Sequence, residues 1–157
     1  LYNVQGDAAA AGVTFQQHLQ VLKQQSNGQP ICLLSGGETT VNLTSAAEHP
    51  GLGGRNQEFI LAAAQAAKER IARGTADKPH SWVLLSGGTD GEDGPTDAAG
   101  AFVDDRVLEN FRSARIDLQD FLTRHDSWTA LNSVDALLRT GPTHTNVMDI
   151  AVGLTRP

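Results

Sequence analysis

A chain of 157 residues that is 39% hydrophobic can bury one proper core, so a single domain is expected. Its formal net charge of −6 argues against a nucleic-acid surface. No apolar run reaches the roughly 18 residues of a membrane span and no signal-peptide pattern is visible, which predicts a soluble, cytoplasmic protein without membrane contact. The chain opens on Leu1 rather than Met, as a piece of a longer polypeptide would.

In chain order, "DAAAAGVTFQQHLQVLKQQ" from Asp7 to Gln25 places Phe15, Leu19 and Leu22 at helical spacing, and "SNGQP" closes the helix. "ICLLSGG" then reads as a short buried strand ending in glycines, with Cys32, the sole cysteine, as a small buried thiol. "TTVNLT" reads as a second, alternating strand, close enough to the first for a hairpin. "NQEFILAAAQAAKERIARG" is an Ala-rich helix with Phe59, Ala63 and Ala67 on one face and a closing Gly74. "SWVLLSGG" repeats the pattern of strand followed by glycines. Helical stretches follow at Asp104–Ala114, Leu118–Arg124 and Ser127–Leu138, and "TGPTHTNVMDIAVGL" is a polar turn feeding an alternating strand. Strands alternating with helices predict an α/β domain, a mixed β-sheet flanked by helices.

Ligands of open α/β sheets gather at the carboxyl ends of strands, and four polar loops are candidates for that place. "SGGETT" offers Glu38, Thr39 and Thr40. "GLGGRNQE" joins Gly53 and Gly54 to a helix start and to Arg55, which is expected to project as a planar charge toward a carboxylate or phosphate. "GGTDGEDGPTDAAG" offers Thr89, with Asp90 and Asp93 as carboxylates for Mg²⁺ or substrate hydroxyls. "TGPTHTN" offers Thr143, Thr145 and Asn146.

Plainer roles compete at each place. Glycines after strands often only turn the chain. Asn56 suits a helix N-cap as well as a ligand contact, Glu58 suits a helix dipole, and Asp97, Asp104 and Asp105 suit caps. Trp82 and Trp128 read as core. His18, His49, His80, His125 and His144 lack metal-ligand spacing. No Gly-Lys pair exists, so there is no P-loop, and "GLGGRN" is not a dinucleotide fingerprint. The acidic loop is not an EF-hand, since Pro95 stands where that loop needs glycine.

Taken together, "LLSGGETTV", "GGRNQE", "LLSGGTDGEDGPTDAAGAFVD" and "TGPTHTNVMDI" resemble, in order and spacing, the C-terminal MOFRL domain of the glycerate 2-kinase family. Bacterial members of that family are often labelled hydroxypyruvate reductase. The resemblance spans nearly the whole chain from Asp7 onward, and residues 1–157 are expected to form that one domain. Two departures stand out: the family usually has Gly where His144 stands and Asn where Met148 stands.

The resemblance implies a fold partnered by a larger N-terminal Rossmann-like domain of the same protein, absent from this sequence. It implies that ATP and Mg²⁺ serve the full-length enzyme, with neither expected to be tightly bound by this chain. Glycerate or a related small hydroxy acid would be phosphorylated in the cleft between the domains. Arg55 and Asp90 are then the candidate catalytic residues. Glu38, Thr39, Thr40, Gly54, Asn56, Thr89, Thr143, Thr145 and Asn146 are candidate substrate contacts, and Asp90 and Asp93 candidate metal ligands. The isolated chain is expected to be inactive, and a homodimer is a further expected partner state. Two other functions compete: part of an NAD(P)H-dependent hydroxypyruvate reductase, and a non-catalytic domain for small-acid binding or oligomerisation.

Overall fold

In a computed structural model, residues 2–43, 50–74 and 81–156 are described. His49, His80 and the end of the expected "TTVNLT" strand lie outside them. Helix α1 (Ala8–Gln25) starts where the Asp7 carboxylate accepts the Ala10 N–H at 2.9 Å, the capping arrangement that satisfies a free helix donor. Helix α2 (Arg55–Ala72) is Ala-rich and buried along most of its first half. The two helices cross closely because residue 12 is glycine: a Cβ there would stand 2.0 Å from the Phe59 carbonyl oxygen. Phe15 and Phe59 meet at this crossing, ring centroids 5.6 Å apart.

Six strands form one mixed sheet, in the order β1-β2-β6-β3-β4-β5. They are β1 (Tyr2–Asp7), β2 (Ile31–Thr40), β3 (Trp82–Gly88), β4 (Gly100–Asp104), β5 (Leu137–Leu138) and β6 (Asp149–Thr155). β1 and β2 are parallel, and every other neighbouring pair is antiparallel. The two "LLSGG" runs therefore lie on either side of β6 in the same register. Ser35 and Ser86 both pair with Ala151, Gly36 and Gly87 with Ile150, and Gly37 and Gly88 with Asp149.

Several expectations need correction. "SGGETT" is not a loop: "ICLLSGG" and the first two residues of "TTVNLT" belong to one continuous strand and not to the two arms of a hairpin. β2 runs unbroken through Gly36 and Gly37 to Thr40 because the parallel ladder to β1 holds it to the end. Strands β1, β4 and β5 are additional to those that the sequence pattern predicts. The helix expected over Ser127–Leu138 is α5 (Ser127–Asn132), and Leu137 and Leu138 turn away to pair with β4. Helices α3 (Asp105–Ser113) and α4 (Leu118–Thr123) stand close to their expected places, capped by Asp104 and Asp117. Trp82 is core, its Nε1 donating to Asp105, whereas Trp128 is only partly buried and donates to Asp97.

Cys32 is exposed, contrary to its apolar surroundings in sequence. The helices pack on one face of the sheet, over Val4, Leu84, Val103 and Ala151. The opposite face carries Cys32, Leu34, Ile150 and Leu154, all exposed, with Val83, Leu85, Phe102 and Val152 half-buried among them. Period-two alternation decides this: Leu33 and Ser35 turn toward the helices, and Cys32 and Leu34 turn away.

Candidate functional site

Strands β1, β2 and β3 run in the same direction and β6 runs against β2 and β3, so three strand ends and the start of β6 share one edge. Asp149 opens β6 between Gly37 and Gly88. Arg55, at the start of α2, reaches it with two donors, Nε to Oδ2 at 2.6 Å and Nη2 to Oδ1 at 3.0 Å. Its Nη1 lies 3.2 Å from Oε1 of Glu38 on β2. The Asp149 side chain is 10% exposed, that of Arg55 33% and that of Glu38 55%. The hydrogen bond to Asp149 raises the Arg55 pKa, with burial opposing it and the charges of Asp149, Glu38 and Asp93 adding to it. Arg55 is therefore held between two carboxylates and not free, as its place in the sequence suggested.

Asp93 stands apart from the surface. It is 2% exposed, and its carboxylate receives the backbone N–H groups of Asn56 at 3.0 Å and Gln57 at 2.8 Å. An intramolecular carboxylate thus fills the positive start of α2, the place where the sequence suggested an external anion. Burial pushes the Asp93 carboxyl above its usual range, against the pull of these hydrogen bonds. Residue 54 is glycine for a steric reason: a Cβ there would stand 2.3 Å from Cγ of Asp93. Gly54, not Asn56, is the N-cap of α2. Asn56 is 1% exposed, donates from Nδ2 to Asp93 and accepts from Ser86 Oγ at 2.6 Å.

The loops after β3 and before β6 are stitched together. Thr89 Oγ1 donates to the Met148 carbonyl at 2.7 Å and accepts from the Val147 N–H at 2.8 Å. Asn146 Nδ2 donates to Asp90 Oδ2 at 3.1 Å, and the Glu92 N–H donates to Asp90 Oδ1 at 3.1 Å. Thr143 donates through N–H to the Asp90 carbonyl and through Oγ1 to the Thr89 carbonyl. This cluster adjoins the arginine at Gly88, whose Cα hydrogen side faces Asp90 Oδ1 and Asp149 Oδ1: a Cβ there would lie 2.9 and 3.6 Å from them.

The structure thus gathers Glu38, Arg55, Thr89, Asp90, Thr143 and Asn146 at one edge, with Thr145 exposed beside them. It separates others. Thr39 is buried on the helix side, and Thr40 donates to the Gly6 carbonyl. Asp149, which pairs with Arg55, and Ser86, which donates to Asn56, join the site without a motif that marks them. The signal for Asp149 was a carboxylate at the head of an alternating strand. Among the described residues no three His, Cys, Asp or Glu side chains stand together to hold a metal. Asp93, with its carboxylate given to α2, does not suit a metal-ligand role; Asp90 offers a carboxylate at the edge. No helix among the described residues is long and apolar enough to cross a membrane.

A one-sided α/β domain whose strand-end edge presents an oriented arginine beside an acidic loop is the class that this geometry defines. Residues 31–149 match the MOFRL family, and the chain belongs to it. The chain is 44% identical over 126 residues to the D-glycerate 2-kinase of Thermotoga maritima, a match covering 80% of this chain and 27% of that protein. It is 42% identical over 151 residues to an Agrobacterium vitis protein named for hydroxypyruvate reductase, covering 94% of this chain and 36% of that one. The crystal structure of the Thermotoga maritima glycerate kinase superposes with a TM-score of 0.82 at 37% identity, over 98% of this chain and 34% of that chain. The chain therefore spans about a quarter to a third of the relatives it matches.

Proposed function

We propose that this chain is the C-terminal, substrate-cleft domain of an ATP-dependent glycerate 2-kinase, which converts glycerate and ATP to 2-phosphoglycerate and ADP. The observation that carries this reading is Arg55, oriented by Asp149 at the strand-end edge with donors to spare. A guanidinium has five N–H donors, and Asp149 and Glu38 engage three. The edge away from Asp149, touched only by Glu38 at Nη1, suits the carboxylate of a small hydroxy acid. Asp90, Thr143, Thr145 and Asn146 form the facing wall, where Asn146 and the Glu92 N–H each hold one oxygen of the Asp90 carboxylate and its remaining lone pairs serve a hydroxyl or cation.

Phosphoryl transfer asks mainly for positioning and for neutralised charge. Mg²⁺ would supply that neutralisation, and it needs only one or two protein carboxylates when phosphate oxygens complete its shell. Asp90 would be that carboxylate. Asn56 and Asp93 serve instead to fix the start of α2, and Thr39 is buried on the helix side of β2. The nucleotide site and a larger partner domain belong, in this reading, to the part of the longer protein outside this sequence.

The test is a coupled assay on a full-length protein carrying this chain, with ATP and glycerate, run beside NADH and hydroxypyruvate. ATP-dependent phosphorylation is expected, and none from the 157-residue chain alone. Turnover confined to NADH and hydroxypyruvate would replace the kinase with a reductase.

A further inference from the structure

We propose that Glu38 is a displaceable gate on the anion site: its carboxylate holds the free edge of Arg55, and a substrate anion binds by taking that edge from it. The inference rests on the anion-site reading of Arg55 and gives Glu38 a different role from a direct substrate contact.

The two carboxylates on Arg55 are unequal. Asp149 is nearly buried, makes two contacts at 2.6 and 3.0 Å, and takes the Nε and Nη2 side of the guanidinium. Glu38 makes one contact, to Nη1 at 3.2 Å, from a side chain 55% exposed. Paired donors and burial fix the first, whereas an exposed single contact contributes little and exchanges readily with water. The only edge left for a planar anion to grip with two oxygens is the one Glu38 touches.

The backbone can stay still while this happens. Glu38 is held in β2 opposite Gln5 of β1, so the side chain alone has to swing. Charge gives the swing its consequence. Arg55 already sits in the field of Asp149, Glu38 and Asp93, and a further anion arriving without release of Glu38 would add a fourth negative charge. A ligand with two adjacent oxygens regains two charge-assisted bonds in exchange for one, whereas a chloride ion does not. Glu38 therefore selects carboxylates and phosphates over simple anions, at a cost in affinity.

The experiment titrates the 157-residue chain with D-glycerate, inorganic phosphate and sodium chloride, following the Arg55 Nε–Hε resonance by NMR. Glu38→Gln and Glu38→Ala are expected to bind glycerate and phosphate about three- to tenfold more tightly than wild type, with the preference over chloride reduced. Arg55→Lys, which has no Nε–H and is followed with wild type through the backbone amides of Glu38 and Gly88, should lose the saturable response. Wild-type saturation at Arg55 with equal or weaker binding by both Glu38 variants would overturn the gate and leave the anion site standing. No Arg55-dependent saturation in any protein would overturn the anion site and the gate with it.

Discussion

Arg55 and Asp149, 94 residues apart in the chain, form a two-pronged ion pair in which the aspartate is nearly buried and the arginine is one-third exposed. The pair gives Arg55 a structural duty beside its proposed role with anions. Arg55→Ala leaves a poorly solvated carboxylate without its cation, so the variant should lose about 1–2 kcal/mol of stability, less than a fully buried pair would. Asp149→Asn in the same chain should return part of that loss. Urea unfolding of the two single variants and the double variant gives the coupling, and additive effects would show that the pair is unimportant to the fold.

Asp93 closes the start of α2 from a distant loop, satisfying two buried backbone donors. Asp93→Ala should cost about 2–3 kcal/mol, and Asp93→Asn about half as much, since an amide oxygen can still accept one bond. If both variants melt within a degree or so of wild type, the cap does not hold this helix.

Glu58 faces His125, whose Nδ1 lies 2.9 and 3.1 Å from its two oxygens. Burial raises the Glu58 carboxyl above its usual 4.5, and the bond to His125 only partly opposes this. The folded protein thus holds this proton more tightly than the unfolded chain. The stability contributed by the site is present below the unfolded value and is lost as pH rises through the folded one. Asp93, also raised, acts in the same direction. Glu58→Gln cannot ionise, so its stability relative to wild type should improve from about pH 4.5 upward. Denaturant melts at two pH values bracketing that window check the sign, and a variant that falls further behind as pH rises contradicts it.

His144 and Met148 both take left-handed backbone, φ 59° and 72°. These are the two positions where the family resemblance leads one to expect Gly and Asn, residues that tolerate this region best. His144→Gly and Met148→Asn should each stabilise the chain by about 0.5–1 kcal/mol. Thermal melts that fall instead would show that the side chains make compensating contacts.

The sheet face that is exposed among the described residues should make the isolated chain sticky. Leu34→Lys with Leu154→Lys removes two exposed apolar side chains, 47% and 44% accessible, without touching the helix-covered core. Stability should stay within about 0.5–1 kcal/mol of wild type while binding of an apolar dye and self-association fall. Unchanged dye binding would place the stickiness elsewhere.

Local pattern fixed α1 and α2, since helical spacing, an Asp cap and a closing glycine all act within a few residues. It also revealed the alternation of β6 and the paired "LLSGG" runs, and the four motifs were enough to point to the family. Only the tertiary structure decided that β2 continues through two glycines, because its ladder to β1 comes from a segment more than thirty residues earlier. Only it decided that Cys32 and Leu34 face outward, since alternation gives two faces and packing chooses which one the helices cover. The same holds at the site. That Arg55 would meet Asp149, and that Asp93 would fill the helix start that the sequence offers to an external anion, depends on strand register and loop path, which bring together polar groups 94 and 37 residues apart. Short-range preferences carry no record of such pairings; they arise when the sheet closes and each buried charge must find its partner.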